Sequence, residues 1–346
     1  MKNLITGIAT LFIFSSCAST ELLRMSVLQP APVTLPADIK NVIVVNRTNA
    51  SSQSKIFDVI DKAVTMEGAH LDKEGAQQTI IGLTDELRKN NRFDNVEMLP
   101  DAELTTDVSG MFPPPLSWDI VDKYGNDNDA DALFSLEFFD TDSRIDYSVN
   151  KTNVKSPFGN IPAIEQQANI LTVVKAGWRI YDIKGHEILD QAIISKALTY
   201  RGRSINPLLA AQALIDRKEA VKEVGNTAGH AYAFRTIPMW IRVPRIYYVR
   251  GNSNFKIAKR MARTGNWDGA AKLWQRETLN TKRKVAGRAC YNMAIISEIN
   301  GDLNRAIQWA QQAYENYNNR LALSYINILR NRQANDALAA DQQPTL

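Results

Sequence analysis

A repeat in the last third of the chain constrains the fold more than any other feature: a block of sequence recurs at a spacing of 36 residues. Lys256-Ile257-Ala258 precedes Gly265-Asn266-Trp267-Asp268-Gly269-Ala270, and Asn292-Met293-Ala294 precedes Gly301-Asp302-Leu303-Asn304-Arg305-Ala306. Ala258 aligns with Ala294, Gly265 with Gly301, Trp267 with Leu303 and Ala270 with Ala306. The small residues let two antiparallel helices approach closely, and the glycines supply the turn between them. A third unit starts near Asn319 with Leu321, Leu323, Ile326, Ile328 and Leu329, but it lacks a second glycine and reads as a single capping helix. Repeats of this size need about three units to bury a continuous core, so two pairs and a cap must lean on something else. The apolar stretch Ile237–Tyr248 is expected to be that seam, against the front domain.

The spacing resembles the tetratricopeptide repeat. In the second copy Asn292-Met293-Ala294, Gly301-Asp302, Ala306-Ile307 and Ala313 fall on the family positions, while the first copy has Glu277 where a small residue is expected. The resemblance implies that the first helix of each pair lines a partner-binding groove. That groove would present Asn252, Phe255, Lys259 and Arg263, then Arg288, Tyr291, Ile295 and Glu298. Charge favours an acidic partner, because residues 236–346 hold 17 basic and 7 acidic side chains and residues 242–288 hold 13 and 2. A field of that sign steers acidic protein segments or anionic headgroups toward this part of the chain.

With 346 residues and 45% of them hydrophobic, the chain has room for a second domain ahead of the repeats. Asn41–Asn46 reads as a buried strand, residues 72–91 as a helix, Phe93–Leu99 as an extended segment and Ala132–Phe139 as another strand. Pro113-Pro114-Pro115 breaks the chain before a helix around Trp118–Tyr124. Val174, Ala176, Trp178 and Ile180 alternate with Val173, Lys175, Gly177 and Arg179, the period of a half-buried strand. Asp182-Ile183-Lys184-Gly185 turns that strand into Ile188–Ala197. Residues 206–233 read as one helix capped by Asn206-Pro207. Together these elements predict an α+β, or three-layer α/β, domain over 39–235. An apolar linker over 236–251, helical repeats over 252–333 and a polar tail over 334–346 follow it.

The first 16 residues read as a secretory signal, with Lys2 ahead of an apolar run, Leu4–Phe14, too short to span a membrane. The run ends in Phe14-Ser15-Ser16-Cys17, the pattern of a bacterial lipobox, in which the cysteine becomes the acylated first residue. Cys17 is therefore the expected lipidation site, and 17–38, with Pro30, Pro32 and Pro36, the expected tether. Ala18 is not the retention aspartate of some inner-membrane lipoproteins, so an outer-membrane anchor facing the periplasm is expected. The remaining thiol, Cys290, has no intramolecular partner and sits among apolar residues.

The sequence carries no HExxH, nucleophile elbow, Walker loop or dinucleotide fingerprint, and His70, His186 and His230 show no ligand spacing. The expectation is a protein without an enzymatic site or cofactor. Asp127, Asp129 and Asp131 have the first three oxygen spacings of a calcium loop, but Ala132 and Phe138 stand where glycine and glutamate are required, so a polar loop is expected there. Export from the cytoplasm argues against nucleic acid as partner.

The order of lipobox, Val42–Asn46 strand, Trp178 hairpin, Pro238–Tyr248 segment and repeat tail resembles a family of Bacteroidota lipoproteins of unknown function. More faintly, the front domain resembles curli-secretion lipoproteins. The first resemblance implies a periplasm-facing scaffold that holds another envelope protein. The second implies a subunit of a secretion or pore-assembly complex, with residues 143–169 as its membrane hairpin, although these lack the alternating apolar strands of a barrel.

Overall fold

The computed structural model describes residues 19–48, 62–99, 104, 112–157, 159–204 and 217–343. Its strands are β1 (Thr20–Gln29), β2 (Asn41–Asn46), β3 (Asn95–Leu99), β4 (Ala132–Ser156), β5 (Gly159–Asp182), β6 (Glu187–Ser204) and β7 (Met239–Tyr248). Its helices are α1 (Lys62–Arg88), α2 (Trp118–Asn128), α3 (Arg217–Ala233), α4 (Ser253–Arg263), α5 (Trp267–Glu277), α6 (Arg283–Ile299), α7 (Leu303–Glu315) and α8 (Arg320–Asp341). They form two compact units, one of residues 30–239 with 338–346, the other of residues 1–29 with 240–337.

The first unit is an α+β domain built on a five-stranded sheet in the order β3-β2-β4-β5-β6. The β-branched run of β2 occupies the interior, parallel to both β3 and β4, while β4, β5 and β6 are antiparallel. One face buries Val42, Val44, Phe134, Leu136, Val174, Ala176, Trp178 and Ile180 beneath α1 and α3. The other buries Ile43, Val45, Leu133 and Tyr181 with Leu116 and Val121 of the α2 region. The alternation read in 173–180 is thus the two sides of a three-layer domain. Helices α1 and α3 cross closely, because a Cβ at Gly229 would lie 1.9 Å from the Thr79 carbonyl oxygen and one at Gly82 2.2 Å from that of Asn226.

Two expectations for this unit change. Helix α3 begins in the described chain at Arg217, and the proposed Asn206-Pro207 cap lies outside the described residues. The strand expected at Ala132–Phe139 continues to Ser156 and pairs with β5 along its whole length, with a bulge between Leu136 and Phe138. Strand β6 follows β5 only as far as Gln166, so the end of the β4–β5 hairpin is two-stranded. Its eight or so residues per strand extend about 25 Å.

The second unit is all-helical apart from a two-stranded ribbon, β1 with β7. Gly265 and Gly301 take φ values of 81° and 79° between α4 and α5 and between α6 and α7, as the repeat requires. Asn252, Asn266 and Asp302 cap α4, α5 and α7 by accepting the backbone N–H three residues on. Ala258, Ala270, Ala294 and Ala306 are fully buried at the helix contacts. Helix α8 closes the series as a single helix and runs to Asp341, so the stretch expected as a polar tail from 334 is largely helical, with Ala339 and Gln342 buried.

The tether is the larger correction. Residues 20–29 form β1, with Glu21, Leu23, Met25 and Val27 less exposed than Leu22, Arg24 and Ser26. Residues 30–39 continue into the α+β unit, where Ala31, Leu35 and Ile39 are buried. The apolar linker is strand β7, and Tyr247, Tyr248 and Val249 belong to the core of the helical unit. What covers two helix pairs and a cap is therefore a ribbon made from both flanks of the α+β domain.

Candidate functional site

The residues expected to line a partner groove are brought together, but the face they form is filled by the β1–β7 ribbon. Phe255, Tyr291, Ile295 and Glu298 are buried, at 0%, 3%, 0% and 1% exposure. Tyr248 packs edge-on against Tyr291 with ring centroids 5.3 Å apart, and Tyr247 sits 5.5 Å from Trp267 and 5.8 Å from Trp274. Asn292 holds the strand as a neighbouring strand would: its Oδ1 accepts the Tyr248 N–H and its Nδ2 donates to the Tyr248 carbonyl, both at 2.7 Å. Asn292 was not among the expected groove residues, and its signal was a lone amide inside the apolar run Val285–Ile296.

Glu298 is the electrostatic centre of this packing. Arg245 of β7 donates to both carboxylate oxygens at 2.9 Å, Arg332 of α8 donates at 3.0 Å, and the Tyr325 hydroxyl donates to Oε2. Burial pushes the Glu298 pKa up, but the bonds from Arg245, Tyr325 and Arg332 outweigh it and hold the carboxyl below its usual range. Glu298 is thus a lock for β7, not a partner contact.

Asn252 is used up as a cap and as a donor to Glu277, 2.6 Å away. Glu277, the residue that departs from the repeat pattern, is buried and also accepts from Asn254 at 2.5 Å and Asn280 at 2.7 Å. Arg288 donates to the Arg250 carbonyl at 2.7 Å and lies over the Tyr248 ring. Lys259 and Arg263 bind Glu21 of β1 at 2.8 and 2.5 Å, and Tyr247 adds a hydroxyl at 3.1 Å. Arg263 first, then Lys259 and Tyr247, hold the Glu21 carboxyl down at about 2. Among the described residues Phe255, Tyr291, Ile295 and Glu298 are covered by the chain's own strands, while Arg263 stays exposed.

A second polar centre lies in the α+β unit. Glu137, at the β4 bulge, accepts from Arg47 at 2.6 Å and from the Tyr181 hydroxyl at 2.9 Å, with Arg179 at 3.6 Å. Arg47 also donates to the Pro114 carbonyl and Arg179 to that of Pro113, at 2.8 and 2.7 Å, while the Leu116 N–H donates to Tyr181. Burial, then the Glu137 charge, pushes the Tyr181 hydroxyl up to about 12. The cluster fastens the proline loop to the sheet.

The aspartates of the calcium-like loop do not converge. Asp131 accepts the Lys40 and Asn41 N–H groups at 2.8 and 2.7 Å, starting β2, and Asp129 ends α2 with φ 50°. Among the described residues no group of three His, Cys, Asp or Glu is placed to hold a metal. His186 stacks on Trp118 with its Nε2 2.8 Å from Asp122, and His230 pairs with Glu86 at 2.9 Å. His70 as a side chain and Cys17 lie outside the described residues. Cys290 is buried, which raises its thiol to about 11. No described helix is long and apolar enough to cross a membrane.

The β4–β5 arm is one of the places where large apolar side chains stay exposed, with Leu22, Trp240 and Leu279 elsewhere. Val149, Ile161 and Ile164 are 61%, 54% and 56% exposed on its two-stranded end. With the geometry in hand, a match over residues 39–248 to the model of a domain of unknown function, DUF8603, covers more than half of the chain. The chain belongs to the DUF8603 family. Residues 256–331 match a second domain of unknown function, DUF6340, which coincides with helices α4–α8. No curated protein matches the chain. Solved structures similar to this DUF8603 protein include a PelC dodecamer from Paraburkholderia phytofirmans, at 11% identity and TM-score 0.20 over 60% of this chain and 98% of that one. A neuraminyllactose-binding hemagglutinin homolog from Helicobacter pylori matches at 14% identity and TM-score 0.24, over 58% and 87%. Scores this low carry no argument about this chain.

Proposed function

We propose that this DUF8603 protein is a lipoprotein of the Bacteroidota type, anchored through Cys17 in the outer membrane and facing the periplasm. There it acts as a scaffold for another envelope protein. The repeats, read as tetratricopeptide-like, stiffen the anchored end, and the partner contact falls on the β4–β5 arm. The observation that carries this reading is the exposure of Val149, Ile161 and Ile164 on a paired, projecting hairpin. Scattered apolar residues on a surface are ordinary, but Val149 and Ile164 share one face of this narrow hairpin, diagonal across its two strands, and form a grip suited to a protein partner.

Crosslinking in the native host from positions 149 and 164 tests it. A single envelope protein should be captured, and Val149→Asp with Ile164→Asp should abolish capture while the melting temperature stays put. Capture that survives this pair refutes the arm as contact. The secretion or pore-assembly reading is favoured only by the length of the hairpin. Asp142, Arg144, Asp146, Lys151, Lys155 and Glu165 give it no lipid-facing band. A discrete ring in detergent would decide for that reading.

A further inference from the structure

We propose that the outer face of α4 is a docking surface for anionic lipid headgroups, brought to the membrane by the chain's own anchor. The inference rests on acylation at Cys17. At 100° per residue, Lys256, Lys259, Arg260 and Arg263 fall within a sector of about 100°. Phe255, Ala258 and Ala262, which are buried, lie on the other side of the helix. Glu21 answers Lys259 and Arg263, whereas Lys256 and Arg260 are exposed and have no ion pair among the described residues.

Position selects the headgroups over an acidic protein. The Ser19 carbonyl accepts the Val249 N–H at 3.0 Å, and only Ala18 separates Ser19 from Cys17. An extended chain covers about 3.5 Å per residue, so Cys17 lies within about 7 Å of Ser19 and about 14 Å of Glu21. Glu21 in turn touches α4, so there is no slack between an acyl chain and this basic face. Anionic surface charge decays over a Debye length of about 8–10 Å, the same order as the reach of at most about 14 Å from the anchor to Glu21. Arg250, exposed, follows Val249 at the same end of the ribbon. Lys272 and Arg276 of α5 are equally exposed, but they lie on the side of that helix away from Trp267 and Trp274, which pack on β7.

The chain beginning at Ala18, which keeps every described residue and lacks acyl chains, should co-sediment with vesicles of phosphatidylcholine and phosphatidylglycerol at low salt. It should not co-sediment with phosphatidylcholine alone. Lys256→Glu with Arg260→Glu should weaken that binding at least about ten-fold, and Lys272→Glu with Arg276→Glu less than about two-fold. Lys256→Gln with Arg260→Gln should give a smaller loss in the same direction, and circular dichroism melts should match for all variants. Equal losses from the two helices, or no binding to anionic vesicles, would overturn the proposal. So would loss of a captured acidic protein with vesicle binding unchanged, which would give the face to that protein. Intact mass of the full-length membrane fraction reads acylation at Cys17 separately, so failure of the anchor and failure of the face are told apart.

Discussion

The two units are each organised round a buried glutamate, and the contrast lies in what the glutamate joins. Glu298 and Glu137 both gather two arginines and one tyrosine at almost no exposure. Around Glu298 the partners come from β7 and α8, elements separated in sequence, so the carboxylate staples a ribbon onto helices. Around Glu137 all four residues lie on the adjacent strands β2, β4 and β5 or their ends, and the spare guanidinium donors go to the Pro113 and Pro114 carbonyls. A buried ion pair adds little net stability over apolar packing, but it is expensive to leave half-made. One donor set therefore specifies a long-range docking in the helical unit and a local loop conformation in the α+β unit.

The largest test of that contrast removes each carboxylate. Glu298→Ala and Glu137→Ala should each cost about 3–5 kcal/mol in denaturant unfolding, because each strands two buried arginines. Hydrogen exchange should rise in β1, β7 and α6 for the first, and in β4, β5 and the 112–116 loop for the second. Matching exchange patterns would dissolve the distinction between staple and loop fastener.

Gly229→Ala probes packing rather than charge. The added Cβ meets the Thr79 carbonyl, and overpacking at such a crossing should cost about 2 kcal/mol, confined to the α+β unit. A neutral or stabilising result would mean that α1 and α3 can separate without loss.

The smallest effect is acid sensitivity of the ribbon. The Glu21 carboxyl titrates at about 2 when folded and has an ordinary value of 4.5, so its contribution is complete above about 4.5 and is lost as pH falls toward 2. With Arg263 largely exposed, the contribution should stay below about 1 kcal/mol. Glu21→Gln should flatten that part of the stability profile, leaving the contribution of Glu298. An unchanged profile would remove Glu21 from the account.

Much of the architecture was legible. The period-2 pattern around Trp178, the β-branched run of β2 and the glycines at 265 and 301 each report a local requirement, and each element forms where its residues call for it. The arm entered the sequence reading only as a membrane hairpin over 143–169, and its continuity with the strands at 132–139 and 170–180 follows from the pairing of β4 with β5. The groove residues were found as a set, yet their role was inverted. Spacing on a helix shows which side chains share a face and is silent about what covers it.

The sequence by itself determined the helix pairs, the strand periodicity and the excess of positive charge after residue 236. These depend on neighbours a few residues apart. Only the tertiary structure decided that residues 20–29 are a strand and not a tether, and that β7 lies beside them. It also decided that Glu298 is spent on Arg245, Tyr325 and Arg332, and Asn292 on the Tyr248 backbone. The meeting of β1 with β7 joins residues more than 200 positions apart, as in the bond from Tyr247 to Glu21. Such pairings are settled by which buried donors and apolar faces remain unmet once the local elements have formed.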